Sequence, residues 1–259
     1  MTEPAPKAAK PAKKKKRLSR QQRQRRTVLL SILLGGGITT TALAGYIPVR
    51  RDEKTRLRPP GALDGDLFLA SCIKCGQCEQ VCPVNAIHLA DVMDGFGLGT
   101  PFIDARKQAC DFSCDATQCI LACPTGSLSH EIDKKEQVTM GLARLTRPDA
   151  CLARKGKGFK GLARGADFKG THRYIEVDRW NPVPVAEHPY DLQLCDLCVR
   201  ECPIKNAISL QPMSDDPNDK RRTPTVNEDV CVGCGMCEMI CPVEPPCITV
   251  DIGAKRKTV

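Results

Sequence analysis

The apolar residues of this 259-residue chain fall in short runs, separated by charged residues and by glycine or proline. Runs of this length with alternating apolar side chains predict short β-strands. They lie at residues 84–89, 100–104, 207–210, 223–226 and 248–250. The glycine-rich turn that contains Gly95, Gly97 and Gly99 predicts antiparallel pairing of the first two. Because short helical stretches alternate with these strands, we expect a small α+β fold.

The longest apolar run follows a strongly basic start. Of the 39 basic and 30 acidic residues, eleven basic and one acidic lie in residues 1–26, which leaves 28 and 29 in the remainder. The body of the chain is therefore close to neutral, and the basic excess does not indicate nucleic-acid binding. The apolar run then extends from Thr27 to Ala44.

This start predicts an export signal over residues 1–44. A charged segment, a short apolar segment and Ala42-Leu43-Ala44 are typical of a cleaved secretory signal, with cleavage after Ala44. Arg25-Arg26 before apolar residues favours the twin-arginine pathway, which exports folded protein to the periplasm. A generic signal and an uncleaved anchor are the alternatives. Residues 45–66, with Pro59-Pro60-Gly61, are interpreted as a linker.

Seventeen cysteines dominate the candidate chemistry. Two runs have the spacing C-x-x-C-x-x-C-x-x-x-C-P, which is typical of bacterial 4Fe-4S ferredoxins. They are Cys72, Cys75, Cys78 and Cys82 before Pro83, and Cys231, Cys234, Cys237 and Cys241 before Pro242. A widened run contains Cys110, Cys114, Cys119 and Cys123 before Pro124, and a partial run contains Cys195, Cys198 and Cys202 before Pro203. The four Cys-Pro pairs predict an electron carrier.

Structural zinc is the main competing interpretation of these cysteines, because paired C-x-x-C motifs are also its usual signature. Zinc needs only two such pairs for each site and does not require a third cysteine, a fourth at plus four and a proline. Low aromatic content, 4% of the chain, also favours clusters that replace part of a conventional core. Disulfides are disfavoured by the Cys-Pro repeats and by the odd cysteine count.

Cys151 is the predicted first ligand of the incomplete third unit. It follows Cys123 by 28 residues, as Cys110 follows Cys82, and residues 152–194 then form an insertion. A free buried cysteine is the alternative for this position. Cys247 remains outside the four units and takes the place of Ala86 and Ala207 before an isoleucine, which predicts a packing role. The insertion, strand-like at residues 174–177, is either a docking surface or a cover for the third cluster.

The spacing predicts two dicluster modules in tandem, residues 67–140 and 141–259, with loop-rich cores organised by four 4Fe-4S clusters. The first module would use Cys72, Cys75, Cys78 with Cys123, and Cys110, Cys114, Cys119 with Cys82. The second would use Cys231, Cys234, Cys237 with Cys202, and Cys151, Cys195, Cys198 with Cys241. A nested pairing of units one with four and two with three stays open. The histidines His88, His130, His172 and His188 have no ligand spacing and are interpreted as ordinary surface or strand residues.

The chain resembles the NapG and MauM family of periplasmic ferredoxin-type proteins over most of residues 20–250. The resemblance rests on Arg25-Arg26, on the first cysteine run, on residues 99–104, 123–126 and 141–143, and on the isolated Cys151-Leu152-Ala153. It implies four 4Fe-4S clusters and an electron-transfer subunit without a catalytic site of its own. Motifs for nucleophilic, phosphate, flavin or nicotinamide chemistry are absent from the sequence.

The resemblance also implies partners. A NapG-like protein would take electrons from a membrane quinol dehydrogenase subunit of the NapH type, at the inner-membrane surface, and pass them to a periplasmic cytochrome c or nitrate reductase. The alternatives are a MauM-like role in methylamine oxidation and the four-cluster subunit of a molybdenum oxidoreductase. A zinc or disulfide scaffold is the remaining hypothesis from a different class.

Overall fold

A computed structural model of the chain describes residues 19–51, 56–94, 97–178, 180–254 and 256. The chain divides into two compact units, residues 1–51 and 52–259. The described part of the first unit is one helix, α1, Arg20–Arg51, whose apolar side chains from Val28 to Ile38 are exposed. Within the described residues, none of the helices combines the length and apolar content needed to cross a membrane. Residues 1–18 of the predicted signal, and Gly95 of the predicted turn, lie outside the described residues.

The second unit is built from short elements. Its helices are α2 Gly65–Ser71, α3 Gln77–Gln80, α4 Gln118–Leu121, α5 Leu197–Arg200 and α6 Met236–Met239. Its strands are β1 Ile87–Leu89, β2 Pro101–Ile103, β3 Leu142–Leu145, β4 Phe159–Leu162, β5 Thr171–His172, β6 Val183–Pro184, β7 Pro189–Leu192, β8 Ile208–Pro212, β9 Arg222–Val226 and β10 Ile248–Asp251. Single 3₁₀ turns occur at Val92–Asp94, Lys135–Gln137, Pro148–Ala150 and Val185–Glu187.

The strands pair as two-stranded antiparallel sheets. The pairs are β1–β2, β3–β10, β4–β7, β5–β6 and β8–β9. The predicted pairing of the strands around residues 87 and 103 is confirmed, with Ile87 opposite Ile103, and so is the pair that joins Ile208 to Val226. The predicted strand at 248–250 pairs with β3, which lies more than 100 residues earlier in the chain. Such a distant partner has no local sequence signal.

One predicted strand is wrong. Residues 174–177 form a turn, in which the N–H groups of Val177 and Asp178 both donate to the carbonyl of Tyr174. Tyr174 lies two residues after the end of β5 and its ring is buried, while Ile175 and Val177 are exposed. The apolar character of the segment therefore reflects one buried aromatic residue and two exposed aliphatic ones, rather than one face of a strand.

The segment before α2 packs against the first module. Leu57 is buried and its carbonyl accepts a hydrogen bond from the Ile103 N–H, 2.8 Å away. Ala62 forms a bridge to Leu128, and the Ser129 N–H donates to the Gly61 carbonyl. Residues 57–63 of the segment interpreted as a linker are therefore packed against β2 and against residues 128–129.

Candidate metal-cluster sites

The cysteine loops are curled by residues with positive φ. In the first run Lys74 and Gly76 have φ of 60° and 74°, and in the last run Gly233 and Gly235 have φ of 72° and 86°. A residue with left-handed φ on each side of the second cysteine turns the chain twice, so that the loop curls around a single cavity. The one-turn helices α3 and α6 follow directly and carry the third cysteine of each run.

The widened second unit uses the same device without glycine. Phe112, Asp115 and Thr117 have φ of 53°, 56° and 46°, and α4 begins directly after Thr117. A β-branched residue such as threonine is rare in this conformation, which costs about 1–3 kcal/mol. The surrounding contacts must supply that energy, since Thr117 is buried. The longer spacing therefore encodes a longer loop of the same kind.

The sixteen predicted cysteines are brought together in four sets. Set I contains Cys72, Cys75, Cys78 and Cys123. Set II contains Cys82, Cys110, Cys114 and Cys119. Set III contains Cys151, Cys195, Cys198 and Cys241. Set IV contains Cys202, Cys231, Cys234 and Cys237.

This grouping follows the sequential pairing and not the nested one. Sets I, III and IV each line one cavity. Each set takes three thiols from one cysteine unit and the thiol before proline from the other unit of the same module. Across the described ranges, no three His, Cys, Asp or Glu side chains converge tightly enough to hold one metal ion.

The electrostatics of the sets favour a bound cationic group. Burial raises the pKa of Cys119 to about 12, and the charges of Cys114, Cys82 and Cys78 raise it further. Burial and neighbouring thiols also raise the pKa of Cys198 well above its usual value. Four such thiols ionise together only if positive charge compensates them, which iron ions do when they bind thiolates. Their sulfur chemistry and number fit 4Fe-4S clusters.

The four sets form a continuous row. The charge of Cys78 in set I acts on Cys119 in set II, and the charge of Cys198 in set III acts on Cys237 in set IV. Sets II and IV meet where the Cys110 N–H donates to the Cys234 carbonyl at 3.3 Å. The order along the row is therefore I, II, IV, III, with one set of each module at the centre.

Solvent exposure differs along the row. Cys75 of set I is exposed, and the neighbouring Ile73 side chain is 64% exposed. In set IV, by contrast, Cys231, Cys234 and Cys237 are all buried. At the other end of the row, none of the set III cysteines is exposed. The end of the row at set I is thus the end closest to solvent.

A buried polar cluster joins the two modules beside sets II and IV. His172 on β5 is 7% exposed, and its Nε2 lies 3.0 Å from Glu201 Oε2. Its Nδ1 lies 3.4 Å from Asp111 Oδ2. Tyr190 donates from its hydroxyl to Glu201 Oε1 at 3.1 Å. Asp111 follows Cys110 and Glu201 precedes Cys202, so the insertion links residues adjacent to a cysteine of each central set.

Sequence reasoning missed this role for His172. Burial by itself would lower the pKa of His172. Hydrogen bonds and charge from Asp111 and Glu201 outweigh burial and raise this pKa to about 9. Its two carboxylate partners lie 61 residues before it and 29 residues after it, so no motif spacing predicts the contact. The insertion therefore does more than cover set III.

Cys247, the seventeenth cysteine, is also buried at 3% exposure, as the packing role requires. It lines the set III cavity, and its N–H donates to Cys241 Sγ at 3.4 Å. Burial and the charges of Cys241 and Cys151 raise its pKa to about 12, so it stays a neutral thiol. Its position next to a cysteine of set III distinguishes it from an ordinary core residue.

Comparison with known proteins agrees with this geometry. A family profile described as a 4Fe-4S dicluster domain matches residues 71–127 and 193–244, one match in each module. The ferredoxin-type protein NapG of Escherichia coli is 36% identical over 203 residues, which cover 77% of this chain and 72% of that protein. The methylamine utilization ferredoxin-type protein MauM of Methylorubrum extorquens is 33% identical over 201 residues, covering 77% and 74%. No solved structure gives a significant match.

The fold and the cysteine sets define an iron-sulfur electron carrier with two dicluster ferredoxin domains in tandem. Its relatives are ferredoxin-type proteins along most of the chain. The chain belongs to the family of NapG and MauM ferredoxin-type proteins.

Proposed function

We propose that the chain holds four 4Fe-4S clusters, one in each cysteine set, and conducts single electrons along the row I, II, IV, III. In this proposal all sixteen cysteines of the sets are cluster ligands, and the domain is of the α+β class with modules at residues 67–140 and 141–259. The clusters supply reversible one-electron chemistry, while the chain fixes their order and buries three of the four cysteines of the central set IV. The observation that carries the proposal is the convergence of sixteen cysteines into four sets of four, with neighbouring sets in contact.

The proposal continues to the partners. We infer that the protein is exported through the twin-arginine pathway and acts at the periplasmic surface of the inner membrane. A NapH-like quinol dehydrogenase subunit would donate electrons, and a periplasmic cytochrome c or nitrate reductase would accept them. The similarity to the ferredoxin-type protein NapG supports a role in electron transfer. The exposed Cys75 edge supports a protein partner that meets the row at set I.

A MauM-like role is the second candidate. The MauM protein of Paracoccus denitrificans is 36% identical over 188 residues, the same level of identity as NapG of Escherichia coli. In that case the chain would serve methylamine utilization instead of nitrate reduction. Electron transfer assays with each candidate acceptor would separate the two, because only the physiological acceptor should be reduced rapidly by the reduced chain.

Iron counting tests the ligand assignment most directly. We expect about sixteen irons per chain in anaerobically purified protein, four for each cluster. Cys151→Ala should reduce this to about twelve, because set III loses a ligand. Cys247→Ala is the matched control, since Cys247 lines the same cavity but belongs to no set, and it should retain about sixteen. Full iron content in Cys151→Ala would remove Cys151 from the ligands, and zinc in place of iron would overturn the electron-transfer proposal.

A further inference from the structure

The four Cys-Pro units differ at one buried position close to the cysteine before proline. This position lies four to six residues after that cysteine and directly before an isoleucine or a leucine. It is occupied by Ala86, Ser127, Ala207 and Cys247. All four residues are buried, at 3% exposure or less. The backbone environment is similar at two of them, since the N–H of Ala86 donates to Cys82 Sγ at 3.3 Å and that of Cys247 to Cys241 Sγ at 3.4 Å.

The side chain at this position can donate a hydrogen bond in only two units, those with Ser127 and Cys247. Ser127 Oγ lies 3.2 Å from Cys123 Sγ, and Ser127 itself accepts a hydrogen bond from Thr125 Oγ1 at 3.2 Å. The hydroxyl of Ser127 therefore has its proton available for the cysteine sulfur. Ser127 and Cys123 are both buried, so little water competes with this contact.

Cys247 occupies the corresponding place in set III, where it packs in one buried cluster with Cys241 and lines the same cavity. A cysteine that ligates no iron keeps its proton at neutral pH, because the ordinary thiol pKa is about 8.5, so its S–H can donate to the neighbouring sulfur. The methyl groups of Ala86 and Ala207 cannot donate a hydrogen bond. The two donors therefore serve sets I and III, at the ends of the row, whereas the two alanines adjoin cysteines of sets II and IV at its centre.

Hydrogen bonds to cluster sulfur change the reduction potential because reduction adds negative charge that the donors stabilise. A buried donor acts strongly, since little water screens it. On the proposed function, on which this inference rests, we propose that Ser127 and Cys247 raise the reduction potentials of the two end clusters above those of the central two. Electrons would then rest at either end of the row and pass through the centre only in transit.

Redox titration of the full chain, followed by EPR, tests this inference. Ser127→Ala and Cys247→Ala should each lower the midpoint potential of one cluster by about 59 mV, a tenfold change in a one-electron equilibrium. Cys247→Ser retains a donor and should keep the potential near its original value. Ala207→Ser adds a donor at the centre and should raise the potential of one central cluster instead.

The outcomes separate this inference from the proposed function. If both alanine variants keep about sixteen irons and all four midpoint potentials are unchanged, the tuning role is refuted while the clusters stand. If Cys247→Ser shifts the potential as far as Cys247→Ala, loss of packing rather than loss of the donor is responsible, which also refutes it. If the parent chain binds no iron, the proposed function itself fails.

Discussion

Single residues with unusual backbone angles decide whether each cysteine loop can close. Gly233 has φ of 72°, and a Cβ at this position would collide with the backbone of Gly141. The contact brings the start of β3 against the set IV loop, where the Met140 N–H donates to the Val232 carbonyl at 2.9 Å. Glycine is therefore required here for two reasons, its left-handed conformation and the close approach of a second chain segment.

Substitution of this glycine should damage one site selectively. Gly233→Ala should destabilise the protein by more than the roughly 1 kcal/mol expected for left-handed strain alone, since the Gly141 backbone must also move. Gly165→Ala is the matched control, because Gly165 has φ of 80° but nothing lies within 4 Å of an added Cβ. Thermal unfolding followed by the loss of cluster absorbance measures both. Equal midpoints for the two variants would show that the Gly141 contact contributes nothing.

At the scale of elements, β5 of the insertion acts as a brace between the modules. Gln108 accepts from the Thr171 N–H at 2.8 Å and donates to the Thr171 carbonyl at 2.9 Å. The next residue, His172, joins Asp111 of the first module to Glu201 of the second. These contacts lie beside sets II and IV, so the brace holds the junction at the centre of the row. A buried ion pair of this kind is costly to break because it leaves a charge unpaired.

The brace should make stability depend on pH in a defined window. The pKa of His172 is about 9 when folded and 6.5 in the reference state, so its contribution is fully present below pH 6.5 and is lost as the pH rises through 9. The groups that face His172 are Asp111, Glu201, Tyr174 and Tyr190, and burial keeps the pKa of both tyrosines above this window. We expect the thermal unfolding midpoint of the parent protein to decrease as the pH is raised from 6.5 to 9.

Replacement of the histidine should remove this pH dependence. His172→Gln should lower stability by about 3 kcal/mol at pH 6.5, as expected for a broken buried ion pair, and flatten the profile up to pH 9. His88→Gln is the control, since His88 lies half-buried on β1 and pairs with no carboxylate in the described structure. A profile for His172→Gln with the same slope as the parent would assign the pH dependence to other groups.

For the whole molecule, the order of the sets has a functional consequence. The row I, II, IV, III places a set from each module at the centre, and Ser127 and Cys247 adjoin its two ends. A carrier of this form can receive an electron at one end and release it at the other. Delivery of such a folded carrier to the periplasm would require export after the clusters are inserted, which is the property of the twin-arginine pathway.

The export hypothesis is testable in cells. Replacement of both Arg25 and Arg26 by lysine should retain the protein in the cytoplasm, although the charge of the segment is unchanged. Replacement of Arg20 and Arg23 by lysine is the charge-matched control and should leave export intact. Fractionation and immunoblotting of the periplasm measure the result. Normal periplasmic levels of the first variant would favour a generic signal.

Much of the site could be predicted from the sequence because ligand spacing is a local property. C-x-x-C-x-x-C specifies a curled loop, and the following proline directs the fourth thiol away from it, so the sequence predicted the sequential pairing but left the nested one open. The β1–β2 and β8–β9 pairs could also be predicted, because their strands are close in the chain. The turn at residues 174–177 could not be predicted, because its apolar residues do not share one face of a strand.

The features that the sequence did not predict depend on contacts between residues that are distant in the chain. The pairing of β10 with β3, the adjacency of Cys110 and Cys234, and the burial of His172 between two carboxylates each join segments that no motif connects. Chain separation removes any local signal for such contacts, and packing of the two modules selects them. The sequence by itself therefore determined the cysteine units and the chemistry they support. The tertiary structure decided how the units pair into sets, the order of the sets, the brace between them and which sets adjoin Ser127 or Cys247.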